Sequence, residues 1–318
     1  MKKERALFVG FVTVFFIICY LFMGQHYDPL ARYMYVDDEN REQILEVVSK
    51  SDIQLLIDYD IRPEEFLPFV EVDGYDILNA KAYYVVYQAK EVSKEEVVSS
   101  VNTILQHMSV ETLSLYLEDY SLAEIVDWVT YKDSYNEESI FIYRPTSYDT
   151  FLDERYTVGR YVPKDLEDVV AMRSLISNGT MQLSKETNDA LGKMCSLLED
   201  EFHETCGGLI ATQGYMSYEE QLKKYDEYLL KYGPNDVNKY FLYPGHNEWQ
   251  LGNTVGVIVK EDIAFKMSAQ YQWLMKHASE YGFVFRTPNS NVLRYVGKDL
   301  AKYLVDNQLS LEEARVDK

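Results

Sequence analysis

Residues 244–252 read Pro-Gly-His-Asn-Glu-Trp-Gln-Leu-Gly and stand just before a β-branched run at residues 255–259. A Pro-Gly pair predicts a turn, and Gly252 predicts a place where two backbone segments approach closely, because glycine has no Cβ. The run 255–259 has the composition of a strand. This stretch therefore predicts a turn that leads into a sheet.

Helix and strand patterns alternate on both sides of this segment. Apolar residues recur at helical spacing before a Gly-Gly pair, and Ser217 with Glu220 forms a capping box that starts a further helix. The predicted strands lie at 209–212, 255–259 and 283–285, and the predicted helices lie at 186–204, from 217 onward, and at 265–281. Together these elements predict an α+β domain over residues 149–318.

The preceding part of the chain reads as a series of short helices. Three capping boxes precede apolar-periodic runs, namely Ser51 with Gln54, Ser93 with Glu96, and Ser121 with Glu124. Pro63 suits the first turn of another helix. This part contains one histidine and no glycine-rich loop, so residues 38–148 predict a mainly helical N-terminal domain that acts as a spacer or docking unit.

The first residues have the pattern of a membrane anchor. Lys2, Lys3 and Arg5 precede an uninterrupted apolar run over residues 6–23, which would span about 27 Å as a helix. Basic residues before such a run predict a cytoplasmic tip at 1–5, a transmembrane helix at 6–23 and a stalk at 24–37. We therefore expect a single-pass protein of the cell membrane with its C-terminal domain extracellular.

Composition excludes one class of function. The chain of 318 residues has 52 acidic and 31 basic side chains, which give a net charge of -21 and a pI near 4.6. Such a charge repels nucleic-acid phosphates, so we expect no nucleic-acid partner. A hydrophobic content of 47% provides for a packed core. Cys195 and Cys206 leave open whether they form a disulfide or remain buried thiols.

Five segments in the second half of the chain occur in a recognisable order. They are residues 214–221, 244–252, 273–283, 294–297 (Arg-Tyr-Val-Gly) and 309–313. Together they resemble the zinc D-alanyl-D-alanine carboxypeptidases of the vancomycin-resistance type, which trim peptidoglycan stem peptides. The likeness covers roughly residues 161–313, about half of the chain. It implies a D-Ala-D-Ala metallopeptidase-like fold for the C-terminal domain and zinc as the cofactor of active relatives.

The residues that carry the chemistry in that family differ here. Active members hold zinc through a His and an Asp in the pattern S-x-H-x(6)-D and through the His of E-x-W-H, whose Glu is the general base. On this sequence the three ligand positions fall on Trp249, Gly256 and Val292, and the base falls on Asn289. The family's substrate-binding Arg falls on Met216. The resemblance therefore implies a degenerate member with no metal ligands, no catalytic residues and no cofactor.

The residues around the lost ligand position remain candidates for binding. Met216, His246, Glu248, Trp249 and Gln250 are the candidate ligand-binding residues. His246 and Glu248 could also form a relocated metal site, but the glycine-preceded loop favours an exposed histidine without a metal. We expect the large apolar side chains of Met216 and Trp249 to fill the former cleft.

These observations favour a pseudoenzyme that serves as a binding or scaffold module facing the cell wall. Its expected partner is a peptidoglycan stem peptide or a protein of the membrane or wall. Two alternatives stay open: an active D,D-carboxypeptidase with a relocated metal site, and a module that binds stem peptides without cleaving them.

Overall fold

A computed structural model describes residues 2–25, 28–131, 138–175, 180–260, 264–287 and 290–316. The chain divides into two compact units, Met1–Gln106 and His107–Lys318. The division falls earlier in the chain than the predicted domain boundary at residue 148.

The first unit is helical, as the capping boxes predict. Its helices are α1 (Lys2–Gln25), α2 (Arg41–Val47), α3 (Lys50–Asp58), α4 (Pro63–Phe66), α5 (Ala80–Ala89) and α6 (Lys94–Ile104). Ser93 caps α6 through the Glu96 amide at 3.1 Å, and Pro63 is the first residue of α4. The cap of α3 is Ser49 and not Ser51, because the Ser49 hydroxyl accepts from the Asp52 amide.

The segment predicted as a stalk takes part in the core of this unit. Leu30 is fully buried, and Tyr33 is 3% exposed among Ile44, Ile53 and neighbouring apolar residues. The Tyr33 hydroxyl donates to the Ile61 carbonyl at 2.6 Å. Burial of these two side chains stabilises the packing of this segment on the helices. The sequence pattern of the segment does not indicate this burial.

The membrane prediction is wrong. Within the part of the chain that the structure describes, no helix is both long and apolar enough to cross a bilayer. This finding overturns the expected single-pass localisation in the cell membrane.

In the residues that the structure describes, the second unit combines helices with three sheets. Its helices are α7 (Val110–Asp119), α8 (Leu122–Tyr131), α9 (Lys185–Phe202), α10 (Tyr218–Tyr232), α11 (Ala269–His277), α12 (Lys298–Asn307) and α13 (Leu311–Val316). Its strands are β1 (Ile140–Phe141), β2 (Tyr156–Thr157), β3 (Leu166–Asp168), β4 (Arg173–Ser174), β5 (Gln182–Ser184), β6 (Leu209–Gln213), β7 (Thr254–Val259), β8 (Phe283–Phe285) and β9 (Val292–Tyr295). This content confirms the mixed helix and sheet class predicted for the C-terminal domain.

Helices α7 and α8 belong to this second unit because their side chains bond to its later segments. The hydroxyls of Tyr116 and Tyr120 donate to the carbonyls of Phe141 and Ile142 at 2.8 and 2.6 Å. Ser121 and Glu124 form the predicted capping box of α8. These long-range bonds place the start of the unit before α7.

A five-stranded sheet in the order β4-β6-β7-β9-β8 forms the centre of the unit. Strands β4 and β6 are parallel and the other pairs are antiparallel. Apolar residues of α9, including Leu191, Met194 and Leu198, pack with the sheet residues Val255 and Val257 in one core. The disulfide between Cys195 and Cys206 joins α9 to the segment before β6.

The predicted helix over residues 265–281 is interrupted. A 3-10 turn at Phe265–Met267 ends at Ser268, whose hydroxyl accepts from the Tyr271 amide and starts α11. A second 3-10 turn, Ala278–Tyr281, leads to Gly282 at φ +87°. The Ser268 hydroxyl bonds to a backbone amide that would otherwise continue the helix, so the predicted helix is divided at this residue. Gly282 ends the helical segment, as predicted.

Candidate functional site

The three positions aligned with zinc ligands come together in the structure. Gly256 on β7 pairs directly with Val292 on β9 in the antiparallel register. Trp249 lies on the 3-10 turn Glu248–Leu251, which precedes β7. A Cβ added to Gly256 would lie 3.4 Å from the Cη2 atom of the Trp249 indole. The three aligned positions therefore meet at one place in the fold, although the fourth position, Asn289, lies outside the described residues.

The side chains at this meeting point do not fit zinc. Zinc in proteins takes thiolate, imidazole or carboxylate ligands, whereas an indole ring, a hydrogen atom and an isopropyl group offer no lone pair to a metal. Among the residues that the structure describes, no group of three or more His, Cys, Asp or Glu side chains is placed to hold a metal ion.

Trp249 packs into an apolar cluster instead. The half-buried indole lies against a cluster formed by Met216, Tyr225, Val237 and Phe241. Met216 is 5% exposed, and its amide donates to the Trp249 carbonyl at 3.2 Å. The aligned positions of the substrate-binding Arg and the first zinc ligand thus share one apolar contact region, and each side chain gains stability by leaving water.

Gly256 is crowded from a second side. An added Cβ would lie 2.6 Å from the Thr212 hydroxyl oxygen, a distance that ordinary Cβ contacts do not reach. Thr212 lies at an irregularity of β6, where the pairing register with β7 shifts between Ala211 and Gln213. A carboxylate at position 256 would require Thr212 to move.

Comparison with known proteins identifies the fold. The family described as VanY, D-alanyl-D-alanine carboxypeptidase, matches residues 180–297. YodJ of Bacillus subtilis (strain 168), named as a carboxypeptidase, is 30% identical over 192 residues, which cover 54% of this chain and 68% of that protein. The chain belongs to the VanY family.

Two solved structures are also similar to this chain. The LD-carboxypeptidase LdcB, whose structure is described as revealing the basis of peptidoglycan recognition, is 27% identical with a TM-score of 0.51. The match covers 57% of this chain and 91% of LdcB. The vancomycin-resistance D,D-pentapeptidase VanY, solved with Zn(II), gives a TM-score of 0.42 at 21% identity over 52% of this chain and 97% of that one.

In this VanY-family protein His246 is buried, which contradicts the exposed loop histidine expected from sequence. It is 3% exposed, and its Nδ1 atom lies 2.7 Å from the Asp153 carbonyl oxygen. Burial lowers its pKa, although Asp153 and Glu154 act in the opposite direction. The imidazole therefore joins two distant segments of the fold, a contact across 93 positions that the local sequence does not signal.

Glu248 is held by two arginines that the sequence analysis missed. Its side chain is 8% exposed, and its Oε2 atom lies 2.7 Å from Arg286 Nε and 3.6 Å from Arg294 Nη1. Arg286 also contacts Glu312 at 2.9 Å. Burial would lower the pKa of Arg286, but the two carboxylates raise it above its ordinary value. Burial lowers the pKa of Arg294. An acidic residue between Asn247 and Trp249 gives no local signal of this network.

Gln250 is fully buried, and its side-chain amide forms hydrogen bonds with other residues of the fold. Its nitrogen donates to the carbonyls of Gly159 and Tyr161, both at 2.9 Å. Its oxygen accepts from the Gln221 amide at 3.0 Å. These hydrogen bonds attach the 3-10 turn that carries Trp249 to the segment before β3.

Proposed function

We propose that this VanY-family protein is a pseudoenzyme that binds peptidoglycan stem peptides and does not cleave them. One observation carries the proposal: the aligned metal-ligand positions Trp249, Gly256 and Val292 meet in space but present only indole, hydrogen and isopropyl groups. Without a ligand set there is no means of holding a metal that would activate water.

The similarity to LdcB supports peptidoglycan as the class of ligand. That LD-carboxypeptidase is described as recognising peptidoglycan, and the match covers 91% of its chain. YodJ, which is also named as a carboxypeptidase, shares 30% identity with this chain. The VanY family match over residues 180–297 includes Trp249, so we infer that this protein still recognises wall peptides although it has lost the catalytic chemistry.

Met216 predicts how such recognition would differ from that of active relatives. An Arg at this position would hold the terminal carboxylate of a substrate through a bidentate contact. Met216 offers no donor from its side chain and is 5% exposed within the apolar cluster. We therefore expect the protein to contact the body of a stem peptide and to be indifferent to its terminal D-alanine.

The experiment compares two stem peptides on the full chain. Isothermal titration with a pentapeptide stem and with the tripeptide that lacks both D-alanines should give dissociation constants within about twofold of each other. Incubation of the pentapeptide with added zinc should release no D-alanine. Zinc-dependent release of D-alanine would establish the active alternative, and failure of both peptides to bind would refute the binding module.

The relocated metal site at His246 and Glu248 has less support. The Nδ1 atom of His246 faces a backbone carbonyl, and Glu248 forms a buried ion pair with Arg286. A metal at this place would have to replace both contacts, and separating a buried ion pair costs several kcal/mol.

A further inference from the structure

A cleft of about 780 Å³ lies in the second unit, away from the Trp249 cluster. It is bordered by the first turns of α9, by Tyr295 at the end of β9 and by the start of α12. Side chains alternate along a strand, so Tyr295 and Val292 face opposite sides of the sheet. Tyr295 packs with the core residues that α9 covers. The volume lies within the range of small-molecule sites.

Two glycines leave room for the tyrosine rings that form the aromatic wall of this cleft. Gly282 has φ +87°, and an added Cβ would lie 2.6 Å from Tyr295 Cε2. Gly297 has φ +75°, and an added Cβ would lie 3.1 Å from Tyr148 Cδ2. The two tyrosine rings meet edge to face with centroids 5.5 Å apart. Each ring therefore occupies the space that a side chain at the neighbouring glycine would need.

Both tyrosines orient one carboxylate. The Tyr295 hydroxyl donates to Glu186 Oε1 at 2.9 Å, and the Tyr148 hydroxyl donates to Glu186 Oε2. Burial raises the pKa of Tyr148 to about 12, with a further contribution from the bond to Glu186. The hydroxyl is thus protonated at neutral pH and must be the donor. Each carboxylate oxygen retains a lone pair that can accept another hydrogen bond.

The charge of the lining selects the sign of a ligand. The charged residues of the cleft are Asp149, Glu186, Asp189, Asp299, Lys193 and Lys298. Carboxylates outnumber ammonium groups by two, and the whole chain carries a net charge of -21. Aromatic faces also attract cations. An anion would meet repulsion here, and a purely apolar ligand would remove water from the carboxylates without supplying a hydrogen-bond donor or a cation in its place.

We propose that this cleft binds a primary ammonium group, with the Glu186 carboxylate as its acceptor and the rings of Tyr148 and Tyr295 as its walls. The group can come from an amino-acid side chain or from an amino sugar, since both present the same cation on a small polar body. The site is independent of the lost metal centre, so its test does not depend on the function proposed above.

The experiment uses two pairs of probes with the full chain at low salt. Nα-acetyl-L-lysine amide is compared with its Nε-acetylated form, and glucosamine with N-acetylglucosamine, at about pH 6.5, where the amines are charged. Acetylation keeps the body of each probe and removes the charge. Titration calorimetry should show binding of at least one charged probe and at least about tenfold weaker binding of its acetylated partner.

Variants locate the binding. Glu186→Gln should weaken the charged probe about tenfold, whereas Glu201→Gln, the same change at the exposed end of α9, should leave it unchanged. If thermal melting shows that Glu186→Gln does not fold, Asp189→Asn replaces it, because that side chain is 56% exposed.

Binding of the lysine probe alone, or of the sugar alone, identifies the source of the ammonium group. Equal binding of acetylated probes, binding that persists in the folded cleft variant, or no binding of any probe would overturn the proposal.

Discussion

Replacing Gly256 with alanine adds one methyl group where a metal-binding carboxylate would have to return. The new Cβ would lie 2.6 Å from the Thr212 hydroxyl oxygen and 3.4 Å from Trp249 Cη2. The second distance is an ordinary contact, but the first requires Thr212 or its strand to shift. Overpacking of this kind costs about 1–3 kcal/mol. We therefore expect Gly256→Ala to lower the free energy of unfolding by this amount.

Urea denaturation followed by circular dichroism measures this cost, and two further variants show its origin. In a Thr212→Ala background the clash is absent, so the cost of Gly256→Ala should fall by at least about 1 kcal/mol. Gly192 on α9 has no heavy atom within 4 Å of an added Cβ. Gly192→Ala should therefore stabilise the helix by about 0.5–1 kcal/mol. An equal cost of Gly256→Ala in both backgrounds would refute the reasoning.

Three further predictions concern the same unit. Trp249→Ala should lower the free energy of unfolding by about 2–4 kcal/mol; an unchanged melting temperature together with lost binding of stem peptides would instead make the indole a recognition residue. Replacing Cys195 and Cys206 together by alanine should lower the free energy of unfolding measured in urea by about 3 kcal/mol, because the disulfide closes a loop and so restricts the unfolded chain. A reducing agent should have no effect on the stability of that variant. Since burial lowers the pKa of His246, the unfolded chain takes up the proton first, so stability should fall as the pH drops below about 6.5. In His246→Asn the loss of melting temperature between about pH 7.5 and 5.5 should be smaller, and an identical loss would show that other groups are responsible.

The sequence predicts those features that depend on neighbouring residues. The capping hydroxyls of Ser93 and Ser217 bond to amides three residues later, and both start helices at the predicted places. Gly282 ends a helix through its own backbone conformation. Such bonds form within one turn of chain, so spacing indicates where to look for them, although it selected Ser51 where Ser49 caps α3.

Features that depend on distant residues could not be predicted in this way. The burial of Leu30 and Tyr33 arises from helices that follow them in the chain. The contact of His246 with Asp153 and the ion pair of Glu248 with Arg286 join positions 93 and 38 residues apart. No periodicity marks these pairs, because each partner is chosen by the fold.

The site aligned with the zinc ligands of the family could be predicted in part. The family resemblance placed Trp249, Gly256 and Val292 at one site, and their convergence follows from strand pairing and the turn before β7. The crowding of Gly256 by Thr212 was not predictable, because it arises from the irregular pairing of β6.

The zinc content of the purified full chain tests the central claim most directly. After expression in zinc-containing medium and gel filtration without chelator, elemental analysis should find well under one zinc per chain, because Trp249, Gly256 and Val292 supply no ligand. One zinc per chain, retained through gel filtration and lost in His246→Ala, would contradict the account and establish a relocated metal site.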